Sequence, residues 1–225
     1  MELKLNFNNT KVYDNVLLDT EFSELFDWYN TIPLVNKVAQ GLWNKTWSLR
    51  DGNILVGQER HWLAGSIPEL PDYDLPLLPY IKQVTNVITT SGLFDDEIIF
   101  DFTMTPFCWA PGTGLSWHND SNYLGAFTYY CHNYWNPEWG GEFLTVEADD
   151  YILNDKKAVN WKVFDNHELH NLILDHGHGH FIHPKPNRLI INKGGARGIL
   201  HKVARSTIES NPRLTLQGFI RKKND

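Results

Sequence analysis

The sequence has few of the features that mark secreted, membrane-spanning or disulfide-stabilised proteins. Among 225 residues there are two cysteines, Cys108 and Cys131, both in apolar, strand-like surroundings. This count argues against a disulfide framework and against a zinc site built from cysteine. No apolar run reaches 18 residues, and the start, MELKLNFNNTKVYDN, lacks the apolar segment of a signal peptide. We therefore expect a cytoplasmic protein without a membrane segment.

Basic side chains are also scarce: 20 Lys and Arg stand against 27 Asp and Glu, a net charge of −7. Binding to a phosphate backbone requires basic patches, so we expect no nucleic-acid partner. Aromatic residues, by contrast, are abundant at 13%, with nine tryptophans. This abundance is typical of a β-rich core and of an aromatic-lined pocket.

The first 95 residues combine a short strand with two amphipathic segments. In EFSELFDWYNTI and in PDYDLPLLPYIKQVTNVITTSGLF, apolar residues recur at helical spacing. The apolar positions are Phe22, Leu25, Phe26 and Tyr29 in the first segment and Leu78, Ile81, Val84, Val87 and Ile88 in the second. The spacing predicts two helices that brace a sheet.

After residue 95 the sequence changes to short β-branched or aromatic runs bounded by Gly, Pro, Asn or Asp. The runs are EIIFDFTMTPFCW, AFTYYCHNYW, GEFLTVEA, AVNWKVF, RLIINKG, GILHKVA and RLTLQGFIRK. No helix-length gaps separate them, which favours a barrel or sandwich over βαβ units. We predict a mainly β fold with supporting α, a double-stranded β-helix (jelly roll) braced by N-terminal helices. Residues 1–225 would form one domain, with 1–95 as support and 96–221 as the jelly-roll core.

The stretch GLSWHNDSNYL places His118 and Asp120 two residues apart. In a strand such residues point the same way, so both side chains can reach one metal ion. The H-x-D pattern alone also occurs by chance in ordinary loops, and a metal site needs a third ligand from elsewhere in the chain.

The segment DHGHGHFIH offers His176, His178, His180 and His183. Histidine-rich tracts bind metals, but the alternating glycines favour an exposed turn or adventitious metal binding over a preorganised site.

His201 is a better candidate for the third metal ligand, and Arg213 is a candidate for binding an anionic ligand beside it. His201 stands at a strand-like position, and Arg213 begins an alternating strand on which Thr215 shares its face. If this face is exposed, Arg213 is simply solvated; if it is buried, the guanidinium needs an anion. With His201, the pair becomes a two-histidine, one-carboxylate set suited to non-heme Fe(II), and Arg213 suits the carboxylate of a chelating diacid.

Five ordered segments across roughly residues 98–221 resemble the Fe(II)- and 2-oxoglutarate-dependent dioxygenases, in particular their prolyl-hydroxylase-like branch. These segments are WHND, FTYYCHNYW, WGGEFLTVE, HPKPNRLIIN and LHKVARSTIESNPRLTLQGFIR. The resemblance implies metal ligands at His118, Asp120 and His201, and cosubstrate-binding residues at Arg213, Thr215, Tyr130 and Trp109. Arg213 would pair with the 5-carboxylate of 2-oxoglutarate, assisted by the hydroxyls of Thr215 and Tyr130. Trp109 stands where family members often carry a tyrosine that contacts cosubstrate or substrate.

The reaction implied by the resemblance is hydroxylation of an unactivated C–H bond, with release of succinate and CO2. The substrate would be a peptidyl residue such as proline, a free amino acid or another small metabolite, chosen by residues 50–80 and 148–186. Fe(II), 2-oxoglutarate and O2 are implied, with ascorbate as a supporting reductant and no catalytic side chain beyond the metal centre. Two alternatives remain: a zinc hydrolase with the same ligands, and a jelly-roll metal-binding sensor or binding protein without turnover.

Overall fold

The computed structural model describes residues 1–7, 9–37, 52–94, 99–118, 120, 122–146, 171, 173–175, 178–194 and 200–223. Within them the chain is built mainly from antiparallel strands. The strands are β1 (Glu2–Phe7), β2 (Thr10–Asp14), β3 (Val35–Asn36), β4 (Ile54–Val56), β5 (Arg60–Leu63), β6 (Phe100–Trp109), β7 (Leu115–His118), β8 (Gly125–Tyr130), β9 (Phe143–Val146), β10 (His180–Ile182), β11 (Arg188–Lys193), β12 (Leu200–Val203) and β13 (Arg213–Lys222). The helices are α1 (Asp19–Tyr29) and α2 (Leu77–Thr89).

The strands form two sheets. The large sheet has the order β1-β2-β11-β8-β13-β6-β4-β3, with β5 also pairing with β6, and the small sheet has the order β10-β9-β12-β7. One apolar cluster contains side chains from both sheets, among them Phe107 and Trp109 from β6 and Phe143 from β9. The two sheets therefore face each other across a shared interior. The predicted mainly β, jelly-roll fold is confirmed.

The two predicted helices are present and pack on the outer face of the large sheet. Helix α1 buries Leu25, Trp28 and Tyr29, and α2 buries its side chains at helical spacing. These residues share one cluster with outward-facing sheet residues such as Tyr129 and Leu216. Because side chains alternate along a strand, this leaves the opposite face of β8 and β13 for the interior between the sheets.

One hydrogen bond ties the helical layer to the strand that carries the predicted cosubstrate residues. The hydroxyl of Tyr29 donates to the backbone carbonyl of Thr215 at 3.1 Å. Strands before residue 95 also extend the large sheet at both of its ends. In the part of the chain that is described, no helix has the length and apolar character needed to cross a membrane.

One sequence prediction has a different outcome, and another lies outside the described residues. The histidine-rich segment, predicted as an exposed turn, contributes strand β10, whose residues pair with β9. His180 in this strand stacks on Phe7 with ring centroids 4.0 Å apart. The strand predicted from AVNWKVF lies outside the described residues.

Candidate metal centre and adjoining cavity

The register of the small sheet places two of the predicted metal ligands side by side. His118 ends β7 and His201 lies in β12, and the two residues are direct antiparallel partners. Directly opposed residues present their side chains on the same face of a sheet. The imidazole centroids are accordingly 4.2 Å apart.

Asp120 completes the cluster from the loop that follows β7. Its Oδ2 atom is 3.4 Å from Nε2 of His201. One ligand atom from each of His118, Asp120 and His201 lies within 4.8 Å of the others, and all three side chains are buried. Two imidazole nitrogens and one carboxylate oxygen at this spacing fit a single divalent ion, and this donor set is the one that non-heme Fe(II) sites use.

Neighbouring groups orient both histidines. Nδ1 of His118 lies 2.7 Å from the carbonyl oxygen of Ser116, and because a carbonyl only accepts, Nδ1 carries the proton. The neutral ring then has its lone pair on Nε2, the tautomer that a metal ligand requires. The ring of Phe143 stacks on His201 with centroids 5.0 Å apart. Both rings are thus held in place by the protein.

Gly194 is packed against the loop that carries Asp120. A Cβ atom at this position would stand 2.7 Å from the carbonyl oxygen of Asp120 and 2.5 Å from that of Tyr123. These are backbone atoms, so the contact cannot be relieved by a side-chain rotation. The amide of Gly194 also donates to the carbonyl of Leu124 at 2.7 Å. Glycine at 194 therefore allows β11 to support the metal-ligand loop.

A cavity of about 240 Å³ opens beside the candidate metal ligands. All three ligands line it, together with Leu115, Phe143 and Val203 from the small sheet. The large sheet contributes a wall of mixed polar and apolar side chains from β6, β8, β11 and β13, and Lys37 and Glu59 also line the cavity. The cavity thus has room for a small ligand against the metal cluster.

The four predicted cosubstrate residues form a second, buried cluster on the inner face of the large sheet. Arg213 is 2% exposed, and its guanidinium lies over the indole of Trp109 at 4.9 Å. The indole N–H donates to Oγ1 of Thr215 at 3.0 Å, and Thr215 pairs with Tyr130 across the β13–β8 ladder. The cluster is compact, but the cavity lining includes none of its four members.

Arg213 has hydrogen-bonding capacity that the described residues leave unused. Its Nη1 donates to the carbonyl of Gly141 at 3.2 Å, whereas Nη2 is buried without a hydrogen-bond partner among the described residues. Burial lowers the pKa of Arg213 to about 10, which still leaves the guanidinium charged at neutral pH. A buried charge with an unused donor fits an anionic ligand group such as a carboxylate.

Burial also shifts the pKa values of two side chains beside Arg213, Tyr130 and His132. It raises the pKa of Tyr130 to about 12, so the phenol keeps its proton and remains a donor. It lowers the pKa of His132 to about 4. The His132 ring is 3% exposed, and its Nε2 atom is 2.7 Å from the carbonyl oxygen of Pro184. His132 was not singled out from the sequence, because one histidine next to an aromatic strand carries no pattern.

The histidine-rich segment stays outside the metal cluster. His178 and His180 are exposed, and His183 is near Glu142, with Nδ1 3.7 Å from a carboxylate oxygen. Among the described residues, the one His, Cys, Asp or Glu group with metal-binding geometry is the cluster at His118. His176 lies outside the described residues.

Comparison with known proteins finds similarity in structure but not in sequence. No protein-family model matches the chain, and no curated protein matches it. Solved structures do match. A prolyl-4-hydroxylase from Pseudomonas putida has a TM-score of 0.58 at 16% identity, over 96% of this chain and 93% of that one.

Two further structures extend this likeness. A prolyl hydroxylase from Trichoplax adhaerens, in complex with a peptide fragment of the hypoxia inducible factor oxygen degradation domain, has a TM-score of 0.61 at 14% identity, over 96% and 84% of the two chains. An oxidoreductase of the 2OG-Fe(II) oxygenase family from Burkholderia pseudomallei has a TM-score of 0.59 at 13% identity, over 96% and 86%. The resemblance seen in the sequence is thus confirmed at the level of architecture: the chain has the fold of prolyl hydroxylases and related 2OG-Fe(II) oxygenases.

Proposed function

We propose that this protein is an Fe(II)- and 2-oxoglutarate-dependent dioxygenase that hydroxylates an unactivated C–H bond and releases succinate and CO2. The observation that carries the proposal is the convergence of His118, Asp120 and His201 in a buried cluster within 4.8 Å. The cluster lies between the two sheets of a fold shared with 2OG-Fe(II) oxygenases. A carboxylate ligand at position 120, rather than a small residue, favours hydroxylation over halogenation.

The cosubstrate would be bound by the Arg213 cluster. Arg213 supplies a buried positive charge and an Nη2 donor that has no hydrogen-bond partner among the described residues, and the hydroxyls of Tyr130 and Thr215 lie on the same face of the sheet. Paired donors of this kind suit the distal carboxylate of 2-oxoglutarate. Because the described cavity ends short of Arg213, we infer that side chains between the two clusters rearrange when the cosubstrate binds.

Each part of the site would have a separate task. Iron(II), 2-oxoglutarate and O2 supply the oxidation when they are bound. His118, Asp120 and His201 hold the metal from one side and leave the cavity side for ligands. Apolar side chains of the small sheet, Leu115 and Val203, line the cavity next to them and keep water away from the reacting bond.

The substrate would be a peptidyl residue, proline-like, or a free amino acid. One neighbour in fold is bound to a peptide, which supports a peptide or small-molecule substrate without deciding between them. The mixed polar and apolar side chains of the cavity wall are compatible with both.

The decisive experiment measures succinate formed by the purified protein with Fe(II), 2-oxoglutarate and O2, in the absence of any added substrate. The proposal predicts slow succinate formation that requires Fe(II), and a metal-dependent charge-transfer absorbance with 2-oxoglutarate under anaerobic conditions. Neither signal would be seen with a zinc hydrolase. Absorbance without succinate, even after substrates are added, would indicate a metal-binding sensor without turnover.

A further inference from the structure

The inner face of the large sheet carries both apolar and polar side chains where it lines the cavity. The apolar ones include Phe107, Ala126 and Phe219. The polar residues that line the cavity from this sheet are Thr103, Thr105, Thr128, Asn192 and Gln217. The interior between two packed sheets is mainly apolar, so polar side chains in it need hydrogen-bond partners. These side chains therefore indicate a surface that can contact a polar ligand.

Asn192 is the most buried amide among the polar side chains of this wall. It is 3% exposed, and its Nδ2 atom has no hydrogen-bond partner among the described residues. It lies in β11 between Ala126 of β8 and Thr10 of β2. An unsatisfied buried N–H group destabilises a protein, so its retention is explained if a ligand oxygen accepts from it.

The position of Asn192 assigns it to the substrate rather than to the cosubstrate. The sheet register places Asn192 in the same cross-strand row as Phe219, six residues along β13 from Arg213. A strand advances about 3.4 Å per residue, so this row is roughly 20 Å from the row of Arg213. A five-carbon diacid held at Arg213 does not reach that far. The cavity, in contrast, is continuous from Asn192 to the candidate metal ligands.

We propose that Asn192 is a specificity-determining residue whose side-chain amide donates a hydrogen bond to a carboxylate or carbonyl oxygen of the substrate. This inference rests on the proposed function. The accepting oxygen belongs to a free carboxylate in an amino acid and to an amide carbonyl in a peptide, and the chemistry at Asn192 is the same. The hydrogen bond fixes one end of the substrate in the cavity, and its other end lies towards the metal cluster.

The test compares the wild type with Asn192→Leu, which removes the donor, and Asn192→Asp, which replaces it by an acceptor of equal shape. Succinate formation is measured with three sets of compounds: the free L-amino acids, their N-acetyl amides, and N-acetyl-Gly-X-Gly amides, in which both ends are blocked. Asn86→Asp, an identical change on the exposed side of α2, controls for the added negative charge. Melting temperatures with and without Fe(II) verify that each variant folds.

We expect at least one compound to stimulate succinate formation by the wild type. The KM for that compound should be at least tenfold higher in Asn192→Leu and higher still in Asn192→Asp. Stimulation by free amino acids identifies a carboxylate as the acceptor, and stimulation by the blocked compounds identifies an amide carbonyl. The inference is overturned if no compound stimulates, if the KM is unchanged in Asn192→Leu, or if Asn192→Asp binds more tightly. It is also overturned if Asn192→Leu raises the KM for 2-oxoglutarate instead of the KM for the stimulating compound. Failure of the proposed function looks different: the wild type forms no succinate and shows no metal-dependent absorbance with 2-oxoglutarate.

Discussion

His118 and His201 are direct cross-strand partners in the small sheet, with imidazole centroids 4.2 Å apart. Because side chains alternate along a strand, a slip of one residue in this pairing would turn one imidazole away from the other. The metal cluster thus depends on the register of β7 against β12 as much as on the identity of its residues. This dependence leads to tests of the ligands and of the residues that support them.

Replacement of His118 or His201 by alanine should abolish specific binding of one divalent ion, because two donors do not hold Fe(II) in a facial site. Titration with Co(II) or Fe(II) would show affinity at least a hundredfold lower than in the wild type. His180→Ala, in the exposed histidine-rich segment, is the matched control and should retain one bound ion. Equal losses in the variants of His118 and His180 would contradict this assignment of the site.

Arg213→Met should weaken 2-oxoglutarate binding without loss of the metal. The KM for 2-oxoglutarate should rise tenfold or more, since a hydrogen-bonded charge pair is lost, while the affinity for Co(II) stays within about twofold. The free energy of unfolding should be unchanged or higher, because the substitution removes a buried charge whose Nη2 has no partner among the described residues. Arg205→Met, at an exposed arginine, is the control. An unchanged KM for 2-oxoglutarate in Arg213→Met would remove Arg213 from the cosubstrate site.

Gly194→Ala should lower metal affinity although residue 194 is not a ligand. The added methyl group would stand 2.7 Å from the carbonyl oxygen of Asp120, so the loop must move. Altered support of a ligand typically costs about tenfold or more in metal affinity. Gly57→Ala is the control, because its Cβ meets only side-chain carbon atoms, at 3.2 Å or more. Wild-type affinity in Gly194→Ala would show that the loop tolerates displacement.

His132 should make the protein less stable in mild acid. Burial lowers its pKa from 6.5 to about 4, so between these values the unfolded chain binds a proton that the folded protein does not. The free energy of unfolding therefore falls as the pH decreases from about 6.5 to about 4, by at most about 3 kcal/mol from this group.

Urea denaturation of the wild type and of His132→Gln at pH 7 and pH 4 would measure this contribution. We expect the variant to lose less stability than the wild type over that interval, whatever its absolute stability at pH 7. An identical loss in both proteins would mean that His132 takes up a proton in the folded state at ordinary pH.

Much of the architecture could be predicted from local pattern. The apolar spacing in α1 and α2 and the alternation in β6 and β13 depend on residues close together in sequence, and the structure has all four elements. Strand β10 was missed because the glycine- and histidine-rich segment that leads into it resembles a turn, whereas its pairing depends on β9, which is distant in sequence.

The candidate site residues, His118, Asp120, His201 and Arg213, could be predicted because together they form one ligand set and because five ordered segments resemble one enzyme family; no single motif was sufficient. Their arrangement in space could not be predicted from the sequence. Which side chains face one another is decided by the register between strands that are distant in sequence, and no local pattern encodes that register.

The sequence by itself therefore determined the fold class, the three candidate metal ligands and the candidate cosubstrate arginine. Only the tertiary structure decided that the ligands share one cavity with Asn192, and that Arg213 and Trp109 lie buried beyond its end. The physical reason is that a ligand type is a property of one side chain, whereas a cavity is formed by long-range strand pairing and by the packing of two sheets.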